Sequence, residues 1–246
     1  MSGLKRIFSH TDSGPILNIN EDDCVVDLKN NLFGVIDGHG GSGVGDKGTN
    51  LIKSTMVDNY GTLVSDPDAT MPFFFDPSSS LEVNALMNTF LLANDEMLKL
   101  NDGKNISNQA GASLIAGISV ENSFHCVSVG HCLGVKVSEE DLSPFFLPDS
   151  SFNFSMMKHD ENGQVFPYSF LGQSNEFNYN VKTMNLLEGE TVFLMTDGVF
   201  QRVSGIELLS FFQTCDGNVS QLCDMVFALA NDRGNKDNQS IVILEY

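Results

Sequence analysis

Tryptophan is missing from this 246-residue sequence, and basic residues are scarce. Thirteen Lys and Arg stand against 32 Asp and Glu, which gives a formal net charge of −19. Nucleic acids and anionic lipids are bound largely through Lys and Arg, so we expect neither as a partner. No run approaches the roughly 20 apolar residues that a transmembrane helix needs, and we expect no membrane association.

Cysteine is also sparse, and its spacing fits no known framework. The five Cys are an odd number without the paired spacing of a zinc site. We therefore expect no disulfides and a reducing, cytoplasmic location. The His125–Cys126 and His131–Cys132 pairs lie about 20 Å apart if they share a strand, which is too far for one ion.

The apolar content is sufficient for one large core. Hydrophobic residues make up 41% of the chain, including 19 Phe, and no Pro-, Gly- or Ser-rich stretch or internal repeat divides it. We predict a single domain over residues 1–246. Most predicted strands come as hairpins with helices between groups of strands, which indicates an α+β fold of antiparallel sheets covered by helices.

The individual elements follow from periodicity and capping signals. Helix starts are marked by Ser204 with Glu207 three residues later, and by Asn218 with Gln221. The stretch 138–179 shows no clear period, and we expect loops with short elements there. Strands are predicted at 24–28, 32–37, 113–120, 124–130, 133–137, 190–196 and 239–244, and helices at about 45–59, 81–100, 204–212 and 218–233.

Acidic residues cluster at one end of the first predicted hairpin. Its turn composition at 29–31 favours a register that places Asp22 opposite Gly38 and Asp23 opposite Asp37. Glu21, Asp22 and Asp37 then gather at one end, and a shift of one residue would keep this cluster. A single AspGly pair usually marks a turn, but a turn alone does not explain the run AspGlyHisGlyGly at 37–41.

The C-terminal half repeats this arrangement. Asp197 stands at the exit of an apolar strand, and Asp237 stands at the entrance of the last one. If these strands are antiparallel neighbours, their carboxylates meet at one edge of the sheet. Several carboxylates at one edge repel each other unless a cation lies among them. Oxygen-rich sites of this kind suit Mg²⁺ or Mn²⁺.

The order of these motifs resembles the type 2C metal-dependent serine/threonine protein phosphatases. The likeness extends over about residues 10–244, and it implies a four-layer αββα sandwich that binds two Mg²⁺ or Mn²⁺ ions at one edge. The motifs are AsnGluAsp at 20–22, AspGlyHisGlyGly at 37–41, GlyAlaSer at 111–113, ValGly at 129–130, ThrAspGlyVal at 196–199 and LysAspAsnGlnSerIleVal at 236–242.

The resemblance also implies roles for particular residues. Asp37 would bridge both ions, Asp22 would act through water, and His39 would donate a proton to the leaving alkoxide. The two ions would activate a water for in-line attack on phosphoserine or phosphothreonine. The implied metal ligands are five carboxylates and one backbone carbonyl: Glu21, Asp22, Asp37, Gly38, Asp197 and Asp237.

Three features depart from the family pattern. Leu17 stands where the family has an Arg that grips the substrate phosphate. His131 replaces an Asp of a third, weaker metal site, and residues 142–170 do not match the family's substrate-facing flap. The candidates to replace the missing Arg are Lys5, Arg6 and Lys47.

Three functions are compatible with this pattern. The first is an active, monomeric phosphatase that acts on phosphoproteins, favoured by the complete set of metal ligands. The second is a pseudophosphatase that binds a partner on the same fold with weak or no turnover, favoured by Leu17 and His131. The third is a phosphatase for a phosphoester that is not a protein.

Overall fold

The structure is a computed structural model that describes residues 3–40, 43–66, 68–150 and 167–246. Within these ranges, two antiparallel five-stranded sheets form the centre of the molecule. The strands are β1 (Arg6–Asp12), β2 (Asp22–Asp27), β3 (Leu32–Gly40), β4 (Ala110–Val120), β5 (Ser123–Val129), β6 (Leu133–Val137), β7 (Leu142–Phe146), β8 (Asn180–Asn185), β9 (Thr191–Met195) and β10 (Gln239–Glu245).

Neither sheet is built only from strands that follow one another in the chain. Sheet 1 has the spatial order β1-β10-β9-β6-β7, and sheet 2 has the order β2-β3-β4-β5-β8. The C-terminal strand β10 thus lies between the N-terminal strand β1 and β9. This confirms the expected pairing of the strands that end at Asp197 and begin after Asp237.

The helices cover the outer faces of both sheets. They are α1 (Gly45–Ser65), α2 (Leu81–Asn101), α3 (Asp197–Phe200), α4 (Gly205–Cys215) and α5 (Val219–Asp232). Ile52 of α1 and Phe90 of α2 share one buried core with Ile36 of sheet 2. Leu208 of α4 and Leu222 of α5 share another with residues of sheet 1.

A third core fills the space between the sheets. Phe33 and Val35 of β3 meet Val192 and Leu194 of β9 there, all fully buried. Because successive side chains of a strand point to opposite faces, the odd-numbered residues of β3 face sheet 1 and the even-numbered ones face the helices. The four-layer αββα sandwich is therefore confirmed.

The register of the first hairpin differs from the prediction by one residue. Asp27 pairs with Leu32, and Asp22 lies opposite Asp37 instead of Gly38. The turn is set by Asp27, whose carboxylate accepts hydrogen bonds from the N–H groups of Lys29 and Asn30. A shift of one residue exchanges the two faces of a strand, so the shift brings Asp22 to the same face as Asp37.

Other differences concern short or peripheral elements. The first helix continues to Ser65, beyond the predicted residue 59. The strands β1 and β8 were not predicted, and β7 lies within the stretch 138–179 that was expected to be irregular. Residues 151–166 of that stretch lie outside the described residues. In the described part of the chain, every helix is too short or too polar to cross a bilayer.

Candidate metal centre

The predicted carboxylates come from both sheets and meet at one edge of the sandwich. Asp22 begins β2 and is the cross-strand partner of Asp37 in β3. On the facing sheet, Asp197 lies two residues after β9 and begins α3, and Asp237 lies two residues before β10. Burial of Asp37 raises the pKa of its carboxyl well above the usual range, and the charges of Asp197, Asp22 and Asp237 raise it further.

The same two causes act on the other members of this group. Burial raises the pKa of Asp22 to about 8, although a hydrogen bond from Thr196 opposes the shift. Burial and then the charge of Asp237 raise the pKa of Asp197 well above its usual range. Like charges this close in a poorly hydrated space stabilise a bound cation.

The carboxylates are near one another but do not converge on one point. Among the residues that the structure describes, no group of three or more His, Cys, Asp or Glu is placed so that it could hold an ion without movement. Mutual repulsion opposes convergence until a cation offsets it. The donor set, which consists of carboxylate oxygens, fits the oxygen preference of Mg²⁺ and Mn²⁺.

Glu21 joins this group to the start of α1. Its Oε1 atom accepts a hydrogen bond of 2.9 Å from the N–H of Gly45, the first residue of α1. Its carbonyl accepts the N–H of Gly38 at 3.1 Å and the hydroxyl of Thr49 at 2.5 Å. A side chain at Gly38 would collide with that carbonyl and that hydroxyl, so the position requires glycine.

Asn238 was not predicted, yet it fixes the loop that carries Glu21. Its Oδ1 atom accepts the N–H of Glu21 at 2.8 Å. Its Nδ2 atom donates to the carbonyl oxygens of Ser13 at 2.9 Å and Ile19 at 3.1 Å. The residue after Asp237 therefore ties the segment 13–21 to the entrance of β10. The signal in the sequence was its place beside Asp237.

Thr196 makes a second connection between the sheets. Its hydroxyl donates to Oδ2 of Asp22 at 2.7 Å and accepts the N–H of Ser240 at 2.8 Å. Both Thr196 and Asp22 are buried. The ThrAsp pair at 196–197 thus contributes a carboxylate to the group and orients another one.

His39 lies near the end of β3, two residues after Asp37. Its ring packs edge-on against Phe170, with ring centres 4.6 Å apart. Burial lowers the pKa of His39 to about 4, so the imidazole is neutral at pH 7. Gly41, the last residue of the 37–41 motif, lies outside the described residues.

His131 stands beside the group instead of apart from it. Its Nε2 atom lies 4.0 Å from Oδ2 of Asp197, and the amide nitrogen of Gln201 lies within hydrogen-bonding distance of both atoms. Burial lowers the pKa of His131 to about 4. A neutral imidazole in this place offers a nitrogen where the family pattern has a carboxylate, which suits Mg²⁺ poorly.

Three basic residues were predicted as replacements for the Arg that the family has at position 17. Two of them lie far from the carboxylates. Lys5 and Arg6 lie at the far end of β1 from the carboxylates and are paired with Glu188 and Glu245. They are too distant to bind a phosphate at this edge, since six residues of strand span about 20 Å. Leu17 itself is 40% exposed.

Two basic residues do lie near the group. Lys47 is exposed in the first turn of α1, two residues after Gly45. Arg202 was not predicted, and its charge lowers the pKa of Asp197 against the effect of burial. Its signal in the sequence was its place just after the ThrAspGlyVal motif.

Comparison with known proteins gives a match at the level of structure. No protein-family model matches the sequence, and no curated protein matches it. The serine/threonine phosphatase PstP of Mycobacterium tuberculosis is similar over 98% of both chains, with a TM-score of 0.79 and 18% identity. The catalytic domain of PstP in complex with two manganese ions gives a TM-score of 0.75 over 98% of both chains, at 18% identity.

Two further similar structures come from other organisms. PppA of Pseudomonas aeruginosa, described as a key regulatory component of T6SS, has a TM-score of 0.78 and 19% identity over 98% of this chain and 96% of its own. MsPP of Mycobacterium smegmatis, a PPM Ser-Thr phosphatase in complex with cacodylate, has a TM-score of 0.76 and 18% identity over 98% of both chains. The chain therefore has the fold of the PPM, or type 2C, serine/threonine phosphatases.

Proposed function

We propose that the chain is a metal-dependent serine/threonine protein phosphatase, built as a single domain over residues 1–246. The observation that carries the proposal is the meeting of Asp22, Asp37, Asp197 and Asp237 at one edge of the sandwich. Burial raises the pKa values of all four carboxyls, and neighbouring negative charges raise those of Asp22, Asp37 and Asp197 further. Such a group is costly in a folded protein unless it holds cations.

The chain's own residues would hold two ions, Mg²⁺ or Mn²⁺. We assign Asp37 to both ions, Asp197 and Asp237 to one, and Glu21 to the other, with Asp22 acting through water. The carbonyl of Gly38 completes the set. Bound ions of this kind supply a nucleophilic water at neutral pH and offset the charge of a phosphoryl group.

His39 is the proposed proton donor to the leaving alkoxide. Its imidazole is neutral at pH 7 in the absence of substrate, because burial lowers its pKa to about 4. A bound phosphate dianion beside the ring favours the protonated form. Substrate binding would therefore prepare the acid that the alkoxide requires.

The proposed substrate is a phosphoprotein, and the proposed setting is a reducing cytoplasm with the chain as a monomer. All five cysteines are buried free thiols, which supports a reducing compartment. Arg202 and Lys47 are the cations we assign to phosphate recognition in place of an Arg at position 17. The positive charge of Arg202 lowers the pKa of Asp197, so its side chain is close enough to interact with this carboxylate.

A pseudophosphatase is the second candidate, and specific residues favour it. Leu17 is an exposed apolar residue at the position where the family pattern has a phosphate-binding Arg, and His131 puts a neutral ring beside Asp197. In that function the ions would stabilise the fold without turnover. A phosphatase for small phosphoesters differs from both by its choice of substrate.

One set of assays separates these functions. Hydrolysis of p-nitrophenyl phosphate and of a phosphothreonine peptide is measured with Mn²⁺, with Mg²⁺ and with EDTA, beside Asp197→Asn. A protein phosphatase turns over the peptide only with metal and loses this activity in the variant. Turnover of the aryl phosphate alone points to a small phosphoester. No turnover by folded protein with any metal contradicts the proposal that the chain is an enzyme. Activity gained in Leu17→Arg would show that the missing Arg is the reason for the lack of turnover.

A further inference from the structure

The loop between α1 and α2 presents three consecutive phenylalanines to solvent. Phe73, Phe74 and Phe75 are 48%, 41% and 60% exposed, and Leu81 at the start of α2 is 43% exposed. Single exposed apolar residues are common on protein surfaces. Three consecutive ones, with a fourth large apolar residue six positions later, are a concentration that is typical of interaction sites; residues 73–75 are called the patch below.

The backbone of this loop is held by two buried asparagines of α2. Oδ1 of Asn88 accepts the N–H groups of Phe73 at 2.8 Å and Phe74 at 3.2 Å, and its Nδ2 donates to the carbonyl of Phe74 at 2.8 Å. Asn84 makes the corresponding pair with the N–H and carbonyl of Asp76, at 2.7 and 2.9 Å. Asn84 and Asn88 are 1% and 0% exposed.

This arrangement keeps the rings outside the core. Buried amides are costly to leave unpaired, so the asparagines oppose any collapse of the loop that would bury the phenylalanines. The backbone that carries the rings is therefore held in one conformation before binding. A preorganised aromatic surface loses less entropy on association than a flexible one, and aromatic residues are enriched at the centres of interfaces.

The stretch of chain that carries the patch has ionisable side chains of one charge sign only. Residues 54–98 contain no Lys, Arg or His. Hydrogen bonds from the side chain and N–H of Ser78 lower the pKa of Asp76, which stays ionised. The acidic residues of this stretch are Asp58, Asp66, Asp68, Asp76, Glu82, Asp95 and Glu96.

Charge decides between the possible occupants of the patch. A second copy of the chain would bring the same acidic surface to an isologous contact and would be repelled. Nucleic acids and anionic lipids would be repelled in the same way. A surface that carries Lys and Arg around an apolar groove is complementary in both charge and polarity.

We propose that residues 73–75 form a docking surface for a partner protein that presents an apolar groove bordered by Lys and Arg. The surface is separate from the metal centre, because Glu21 contacts the N-terminus of α1 and the loop follows its C-terminus. A helix of 21 residues spans about 30 Å. A docked partner would therefore leave the metal centre open, and the inference does not depend on catalysis.

A displayed library of random peptides, selected on the full chain, tests this proposal. Selection is repeated on the triple variant Phe73→Ser, Phe74→Ser, Phe75→Ser, and on Ile106→Ser with Ile206→Ser as a matched control. Ile106 and Ile206 are 87% and 83% exposed. We expect enriched peptides that combine Lys or Arg with apolar residues. A synthesised one should bind the triple variant at least about tenfold more weakly and bind the control unchanged.

Two further variants keep the test decisive. Asp66→Lys with Asp68→Lys leaves the rings in place and should weaken binding of the same peptide. Asn88→Ala changes no exposed side chain, but it removes the hydrogen bonds that hold the backbone of Phe73 and Phe74. This variant should therefore weaken peptide binding too. Circular dichroism and melting curves verify that each variant is folded, and aryl phosphate hydrolysis verifies the metal centre separately.

Several results would overturn the proposal. Enrichment of acidic peptides, or no difference between the wild type and the triple variant, contradicts a basic partner. Sedimentation that shows a dimer lost in the triple variant assigns the patch to a second copy instead. Binding to phosphatidylcholine vesicles that depends on the phenylalanines assigns it to a membrane surface.

Discussion

The carboxylate of Glu21 accepts a hydrogen bond from the N–H of Gly45 and thereby caps α1. Val44, the residue at the N-cap position, provides no side-chain cap of its own. A carboxylate at a helix N-terminus is also favoured by the helix dipole. Glu21 therefore has a structural role that is separable from its proposed role as a metal ligand.

Two substitutions of Glu21 should separate these roles. Glu21→Gln keeps an oxygen acceptor for Gly45 but loses the charge, so we expect near wild-type melting in EDTA and weaker stabilisation by Mn²⁺. Glu21→Ala loses the cap as well and should cost about 1 kcal/mol in EDTA. Thermal melting with and without Mn²⁺ measures both effects. Equal melting of the two variants in EDTA would show that the cap contributes nothing.

Removing one charge from the centre should stabilise the chain in EDTA. Burial and neighbouring charges raise the pKa of Asp37, so the folded chain loses stability as pH rises from 3.8 through the raised value. At pH 7, Asp37→Asn relieves this cost and should raise the melting temperature in EDTA by roughly 2–4 °C. With saturating Mn²⁺ the order should reverse.

The exposed Asp58 provides a control for that experiment. Asp58→Asn removes one negative charge from α1 away from the centre. In EDTA and with Mn²⁺ it should shift the melting temperature much less than Asp37→Asn does. If Asp37→Asn melts lower than the wild type in EDTA, the contacts that the Asp37 carboxyl makes outweigh the repulsion within the group.

The start of α4 provides a test of pH dependence away from the centre. Hydrogen bonds from Arg233 lower the pKa of Glu207 to about 2, and Ser204 contributes to the shift. A lowered pKa in the folded state means that this stabilisation exists above the ordinary value of 4.5 and is lost as pH falls toward 2.

We expect Glu207→Gln to lower the free energy of unfolding by about 1 kcal/mol near neutral pH, since the ion pair is partly exposed. The difference from the wild type should shrink at acidic pH. Urea unfolding at a series of pH values measures it. A difference that stays constant down to acidic pH would mean that the charge of Glu207 contributes nothing.

His39 should matter most for substrates with poor leaving groups. p-Nitrophenolate leaves without a proton, whereas the alkoxide of serine or threonine needs one. We therefore expect His39→Gln to lower kcat for a phosphothreonine peptide by about 100-fold and to lower it much less for p-nitrophenyl phosphate. Equal losses on both substrates would assign His39 to positioning instead of proton donation.

The strands that sequence analysis missed share one property. β1, β7 and β8 are all at the edges of their sheets. The sequence of β8, AsnValLysThrMetAsn, is mostly exposed, and β7 contains Pro144, which an edge strand tolerates. Edge strands depend on their neighbour for order, so they lack the apolar runs that made the central strands predictable.

The candidate site was predictable to the extent that its residues stand next to an end of an apolar run of sequence. Asp37, Asp197 and Asp237 all stand at such places. Asn238 and Thr196 were missed because their partners, Glu21 and Asp22, are more than 170 residues away in the chain. The register of the first hairpin was missed because it depends on hydrogen bonds of the Asp27 side chain in the turn.

The position of β10 between β1 and β9 has a consequence for synthesis of the chain. β1 precedes its partner strand β10 by more than 220 residues, so it is synthesised long before that partner. Until then, β1 lacks its hydrogen-bonding partner strand, and Asp22 and Asp37 lack Asp237, which lies two residues before β10. The proposed set of metal ligands is therefore completed only when synthesis reaches Asp237 and β10.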